Sequence, residues 1–186
     1  MIYFFLAEGF EEVEALCPLD LLRRAELDVR TVGIGGKTVT GAHGITVTAD
    51  MTDAEFDALE DRTPEMIVLP GGMPGTTNLD ASETVHRAIR DAVASDAYLA
   101  AICAAPSILG KLGLLKDVEA ICYPGFEEAL EGAILSKQPI VRSGRFITAK
   151  GMGVALSFGL LLVETFRGRA YANQLSQAVM ATPKRR

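Results

Sequence analysis

Histidine is scarce in this chain, and there is no excess of basic charge. His43 and His86 are the two histidines among 186 residues, and none follows Cys103, the residue with the most distinctive surroundings. Lysine and arginine total 18 against 24 acidic residues, giving a net charge of −6. Nucleic acid is therefore not expected as a partner, because phosphate binding needs concentrated Lys and Arg. The stretch Lys184-Arg185-Arg186 reads as a solvated tail. The three cysteines lack C-x-x-C spacing. That fits neither a disulfide framework nor a zinc site, and suits a reducing compartment. The apolar run Ile2–Leu6 has no basic segment before it and soon meets Glu8, so it is too short for a signal peptide or a membrane span. Gly33-Ile-Gly35-Gly36 lacks the full dinucleotide fingerprint, and Lys150-Gly151-Met152-Gly153 lacks the P-loop pattern. The expectation is a cytoplasmic protein with no membrane association, no metal and no cofactor.

What is present is a well-supplied core. Hydrophobic residues make up 49% of the chain, with no low-complexity tract, repeat or linker, so one domain over residues 1–186 is expected. Strand-like Ile2–Leu6, an amphipathic segment over 11–24 and strand-like 29–32 read as a βαβ unit. Further apolar runs at Met66–Leu69, Tyr98–Ile102, 120–122 and 146–148 suit buried parallel strands, while 82–94 and 154–166 carry helical periodicity. The class is α/β. Thr38–Thr40 and 45–48 alternate as a hairpin at a sheet edge, a candidate dimer surface. Pro18 is expected to kink or restart the first helix, because its ring clashes with the preceding turn.

Cys103 ends the Tyr98–Ile102 strand just before Pro106 opens a helix, so the thiol falls on a strand-to-helix turn. A thiol facing unpaired helix N–H groups is expected to have a depressed pKa, and the arrangement matches a nucleophile elbow with sulfur in place of oxygen. In parallel sheets, ligands bind beyond the carboxyl ends of the strands. Ala7-Glu8-Gly9, Pro70-Gly71-Gly72, Cys103 and Lys150–Gly153 should meet there. Gly71 and Gly72 offer unobstructed N–H groups to a developing oxyanion. With no histidine nearby in sequence, the base falls among Glu8, Glu11, Glu12 and Glu14, one of which would have a raised pKa if buried beside sulfur. His86 reads as a surface residue.

Glu8-Gly-Phe-Glu-Glu-Val-Glu-Ala15 with Pro18-Leu-Asp20, Val68-Leu-Pro-Gly-Gly72, Ala101-Ile-Cys-Ala-Ala-Pro106 and Thr148-Ala-Lys-Gly-Met-Gly153 together resemble the ThiJ/PfpI superfamily, in particular its DJ-1-like branch. The resemblance implies a flavodoxin-like three-layer sandwich, usually dimeric, with Cys103 as the nucleophile-elbow cysteine and Glu14 as its protonated glutamate. It also implies that the amides of Gly71, Gly72 and Ala104 line an anion-stabilising pocket. A family histidine aligns with Tyr123, and pocket arginines of some relatives align with His43 and Lys150. Protease-like members carry histidine where this chain has Ala104, so peptidase activity is not expected.

The branch is described as glyoxalases, deglycases of early glycation adducts and peroxide-sensitive chaperones. The implied activity is therefore on methylglyoxal-like dicarbonyls or their adducts, with Cys103 as nucleophile and Glu14 as proton shuttle. The alternatives are a redox sensor or chaperone using Cys103, or another thiol-dependent hydrolase or hydratase. A homodimer built on the apolar helix face around Val13, Leu16 and Cys17 and on the hairpin edge would bring His43 towards the partner's pocket.

Overall fold

The computed structural model describes residues 1–181, and the basic tail noted above lies outside them. In chain order the elements are β1 (Ile2–Leu6), α1 (Glu12–Arg24), β2 (Val29–Gly33), β3 (Thr38–Thr40), β4 (Thr46–Thr48), β5 (Met51–Thr52), α2 (Asp53–Asp57), β6 (Met66–Leu69), α3 (Gly75–Asp80), α4 (Glu83–Ala94), β7 (Tyr98–Ile102), α5 (Pro106–Lys111), β8 (Glu119–Ala120), β9 (Ile134–Leu135), β10 (Ile140–Ser143), β11 (Phe146–Ala149) and α6 (Ala155–Ala178). Seven strands form one sheet in the order β10-β11-β7-β6-β1-β2-β5, parallel throughout except for β10 against β11. Among the described residues, no helix is long and apolar enough to cross a membrane.

Both faces of the sheet are covered, which is why its central strands read as continuous apolar runs. Along β1, Ile2, Phe4 and Leu6 enter a core shared with α1 and α6, while Tyr3 and Phe5 enter the opposite core with Phe56, Ile89 and Leu109. The α1–α6 contact is close because Gly159 has no side chain: a Cβ there would lie 2.7 Å from Leu21 Cδ1 and 2.7 Å from Pro18 Cα.

Several sequence expectations change in detail. α1 runs through Pro18 without a restart. The hairpin β3–β4 forms its own two-stranded sheet, and the main sheet's edge beside β2 is β5. Residues 120–122 are not a strand of the main sheet: β8 stops at Ala120 and pairs with β9. Past β8 the chain is tied to β11 by a side-chain bond instead of a ladder, the Ile121 N–H donating to Thr148 Oγ1 at 2.9 Å. The helical pattern over 154–166 extends as α6 past Gly168, whose φ of 80° breaks the helix locally.

Candidate active site

Cys103 occupies the turn between β7 and α5 with a φ of 64°, left-handed backbone that is uncommon for any residue with a Cβ. Such a conformation costs about 1–3 kcal/mol and persists only where its surroundings impose it. Here the Cys103 N–H donates to the Ala149 carbonyl at 2.9 Å, and the Tyr123 N–H donates to the Cys103 carbonyl at 2.7 Å. The strand beside β7 and the loop after β8 thus fix the turn from two sides.

Glu14 reaches the same point from the first turn of α1. Its helix start is capped by Glu11, whose Oε2 accepts the Glu14 N–H at 2.6 Å. The Glu14 side chain is buried, and its Oε2 accepts the Gly71 N–H at 3.0 Å. Gly71 is wedged between the two reactive groups: a Cβ there would lie 2.5 Å from Cys103 Cβ and 2.6 Å from Glu14 Oε2. Gly71→Ala is therefore expected to lose about 1–3 kcal/mol of stability, as overpacked sites do, and to force Cys103 and Glu14 apart. A denaturant melt and the Cys103 labelling rate check this, and an unchanged melt with unchanged labelling would contradict the wedge.

Burial pushes the Glu14 carboxyl up to about 7, with the charge of Glu11 adding to the rise. The hydrogen bond with the Cys103 thiol and the amides of Gly71 and Met152 act against it. The thiol was expected to be acidified by its helix, and the reverse holds. Burial first, then the Glu14 carboxylate, push Cys103 up to about 12, outweighing the amides of Gly72 and Ala104. The two groups form one titrating pair. When Glu14 is ionised the thiol keeps its proton. Passing that proton to Glu14 leaves a thiolate beside a carboxylic acid, with the Gly72 and Ala104 amides at the sulfur.

The DJ-1/PfpI family model matches residues 1–165. The chain belongs to the DJ-1/PfpI family. It is 32% identical over 177 residues to DJ-1 homolog B of Arabidopsis thaliana, covering 94% of this chain but 40% of that protein, so it spans less than half of that relative. It is 30% identical over 169 residues to a Caenorhabditis elegans protein named as a glutathione-independent glyoxalase, covering 90% of this chain and 89% of that one. The fold superposes on a DJ-1 superfamily protein from Salmonella typhimurium, crystallised as a cysteine-to-alanine mutant, with a TM-score of 0.91, 30% identity and 98% of both chains covered.

Within this family member, the other residues singled out by sequence separate into two groups. Gly72, Ala104, Tyr123 and Lys150 surround the pair: the two amides face the sulfur, and the Tyr123 ring stands 3.3 Å from where a Cβ on Gly151 would be. Lys150 is exposed at the rim of a cavity beside them. The Gly71 amide is engaged by Glu14 and does not face the sulfur. His43 stands apart, with its exposed ring bonded through Nδ1 to Glu12 Oε2 at 2.8 Å. Glu8 accepts the Thr40 N–H, and His86, half-buried rather than a plain surface residue, faces Asp80 at 3.4 Å.

Sequence reasoning missed two supports. Buried Glu12 accepts the N–H groups of His43 at 2.7 Å and Ile45 at 3.3 Å, fixing the β3–β4 turn on α1. Although Glu11, Glu12 and His43 bring ligand atoms within 4.8 Å of one another, these donors already occupy Glu12. Thr148 is the other, a buried hydroxyl in an apolar strand that anchors the loop leading to Tyr123. A lone Thr among Phe146, Ile147 and Ala149 was the available signal. Thr148→Val strands the Ile121 N–H and is expected to cost about 1–3 kcal/mol, measured by chemical denaturation. No loss of stability would show that the hydroxyl is dispensable.

Proposed function

We propose that this chain is a cysteine-dependent, glutathione-independent glyoxalase/deglycase-type enzyme acting on methylglyoxal-like dicarbonyls or early glycation adducts. The observation that carries the reading is the Cys103–Glu14 pair, a carboxyl with a pKa of about 7 bonded to a thiol. Ionised above that value, Glu14 can accept the thiol proton as the sulfur attacks, the role a histidine has in other thiol sites. The sulfur then adds to the aldehyde carbon, a C–S bond forms, and the carbonyl electron pair moves to oxygen beside the Gly72 and Ala104 amides. Glu14 returns a proton to that oxygen, giving a hemithioacetal. As carboxylate it next removes the proton from the former aldehyde carbon to give an enediolate and delivers it to the neighbouring carbon, while the hydroxyl proton passes to that carbon's oxygen, leaving a 2-hydroxy thioester. Water hydrolyses the thioester to a 2-hydroxy acid and restores the thiol. Gly71 holds Glu14 in place throughout.

Methylglyoxal incubated with the purified protein and no glutathione should yield lactate. Its rate should rise with pH through an inflection near 7, because protonated Glu14 cannot accept the thiol proton and ionised Glu14 can. Absence of lactate, or a requirement for glutathione, would count against the reading. A second reading, a peroxide sensor, draws support from the same carboxyl, which in its protonated form can donate a hydrogen bond to a Cys103 sulfinate. Loss of peroxide-dependent mass gain in Cys103→Ala, without turnover in the wild type, would favour it.

The proposed working form is a homodimer in the reducing cytoplasm. Supporting it are three free cysteines and the exposure of Val13 at 44% and Ile45 at 54% on the α1 and hairpin faces. Light scattering should give twice the chain mass, and Val13→Glu should give the monomer. A monomeric wild type at micromolar concentration would sink this part.

A further inference from the structure

A cavity of about 470 Å³ opens beside the Cys103–Glu14 pair, lined by Tyr123, Pro124, Lys150, Gly151, Met152, Gly153 and Val154. Gly151 is the step between cavity and pair. A Cβ there would lie 3.8 Å from Glu14 Oε1 and crowd the Tyr123 ring at 3.3 Å, so the bare glycine sets the cavity wall directly against Glu14. Tyr123 and Met152 leave 50% and 53% of their surface exposed, although both present largely apolar surfaces. The Tyr123 backbone is anchored at the site, its N–H bound to the carbonyl of Cys103 itself. Lys150 is the single charged lining residue, so the wall favours a neutral or anionic guest over a cationic one.

We infer that this pocket holds an aromatic arm on the substrate, so that aryl α-oxoaldehydes are preferred to methylglyoxal. The inference rests on the glyoxalase reading for its chemistry and on the pocket for its specificity. A carbonyl carbon at Cys103 and a proton transfer at Glu14 place the substituent of the second carbonyl on the Gly151 side. A single methyl group would leave most of the cavity to water. The volume suits a small molecule, whose sites run from roughly 300 to 1,000 Å³. A phenyl ring there meets the Tyr123 face in offset or edge-on contact and the Met152 thioether at close range, contacts that aromatic rings favour.

Two readouts separate the pocket from the chemistry. Mandelate and lactate are the acids expected from phenylglyoxal and methylglyoxal, and titration calorimetry on the wild type should show mandelate binding about tenfold tighter or better, the scale of discrimination an apolar pocket provides. Met152→Ala and Tyr123→Ala should bring the two ligands to within about threefold, while Met152→Leu, which keeps the apolar volume, should retain the preference. The ratio of kcat/KM for phenylglyoxal over methylglyoxal should fall in parallel. Equal binding of mandelate and lactate by the wild type overturns the aromatic arm, whatever the turnover. Tight mandelate binding with no turnover of either α-oxoaldehyde upholds the pocket and rejects the glyoxalase reading instead.

Discussion

Cys103→Ala is expected to lower kcat/KM for methylglyoxal by on the order of a thousandfold or more, the scale seen when a nucleophile that works as part of a unit is removed. No other cysteine can substitute. Cys122 is buried, and neither it nor Cys17 on α1 is hydrogen-bonded to Glu14, the base that serves Cys103. Alanine keeps the backbone and leaves the bonds from Tyr123 and to Ala149 in place, so the melt should change little. Steady-state kinetics with the thermal melt measured alongside decide the matter. Full turnover in a folded Cys103→Ala protein would remove the basis for the mechanism.

Glu14→Gln is expected to cut turnover by about a hundredfold or more while keeping an acceptor for the Gly71 amide. Its effect on stability runs the other way. The Glu14 carboxyl titrates at about 7 in the folded protein against 4.5 for an ordinary glutamate. The folded state therefore binds more protons between those values, and ionising Glu14 weakens the fold as pH rises through that window. Glutamine cannot ionise. At pH 8 the variant should be more stable than the wild type by about 1–3 kcal/mol, and the gain should vanish below pH 4.5. Slower turnover together with a higher melting temperature at pH 8 would separate catalytic loss from damage to the fold. His86→Ala is the matched control. His86 lies on α4 against Asp80 and makes no contact with the pair, so turnover should stay near wild type.

The parallel strands were legible because they are buried on both faces and read as unbroken apolar runs, as in Met66–Leu69 and Tyr98–Ile102, whose ends match the observed strands. Short elements that depend on partners distant in sequence were not. Ile140–Ser143 pairs only because β11 lies beside it, and residues 120–122 form no main-sheet strand, Ile121 being held by the Thr148 hydroxyl 27 positions away. The candidate site was legible as a set of strand-end loops. Spacing alone did not select Glu14 from among its acidic neighbours. That distinction depends on which face of α1 turns inward, where Glu12 binds the hairpin and Glu14 binds Gly71. Thiol acidity was misjudged for a related reason: the helix after Cys103 was visible in sequence, but the carboxylate placed against the sulfur was not.

The most direct test of the Cys103–Glu14 pair as the reactive centre is brief iodoacetamide labelling across pH 5–9, followed by mass-spectrometric mapping of all three cysteines. In the wild type Cys103 should label fastest, with a rate that rises through an inflection near pH 7, where Glu14 becomes able to accept the thiol proton. In Glu14→Gln that inflection should disappear. Equal labelling of Cys17, Cys103 and Cys122, or a Cys103 profile unchanged by Glu14→Gln, would contradict the assignment of the pair.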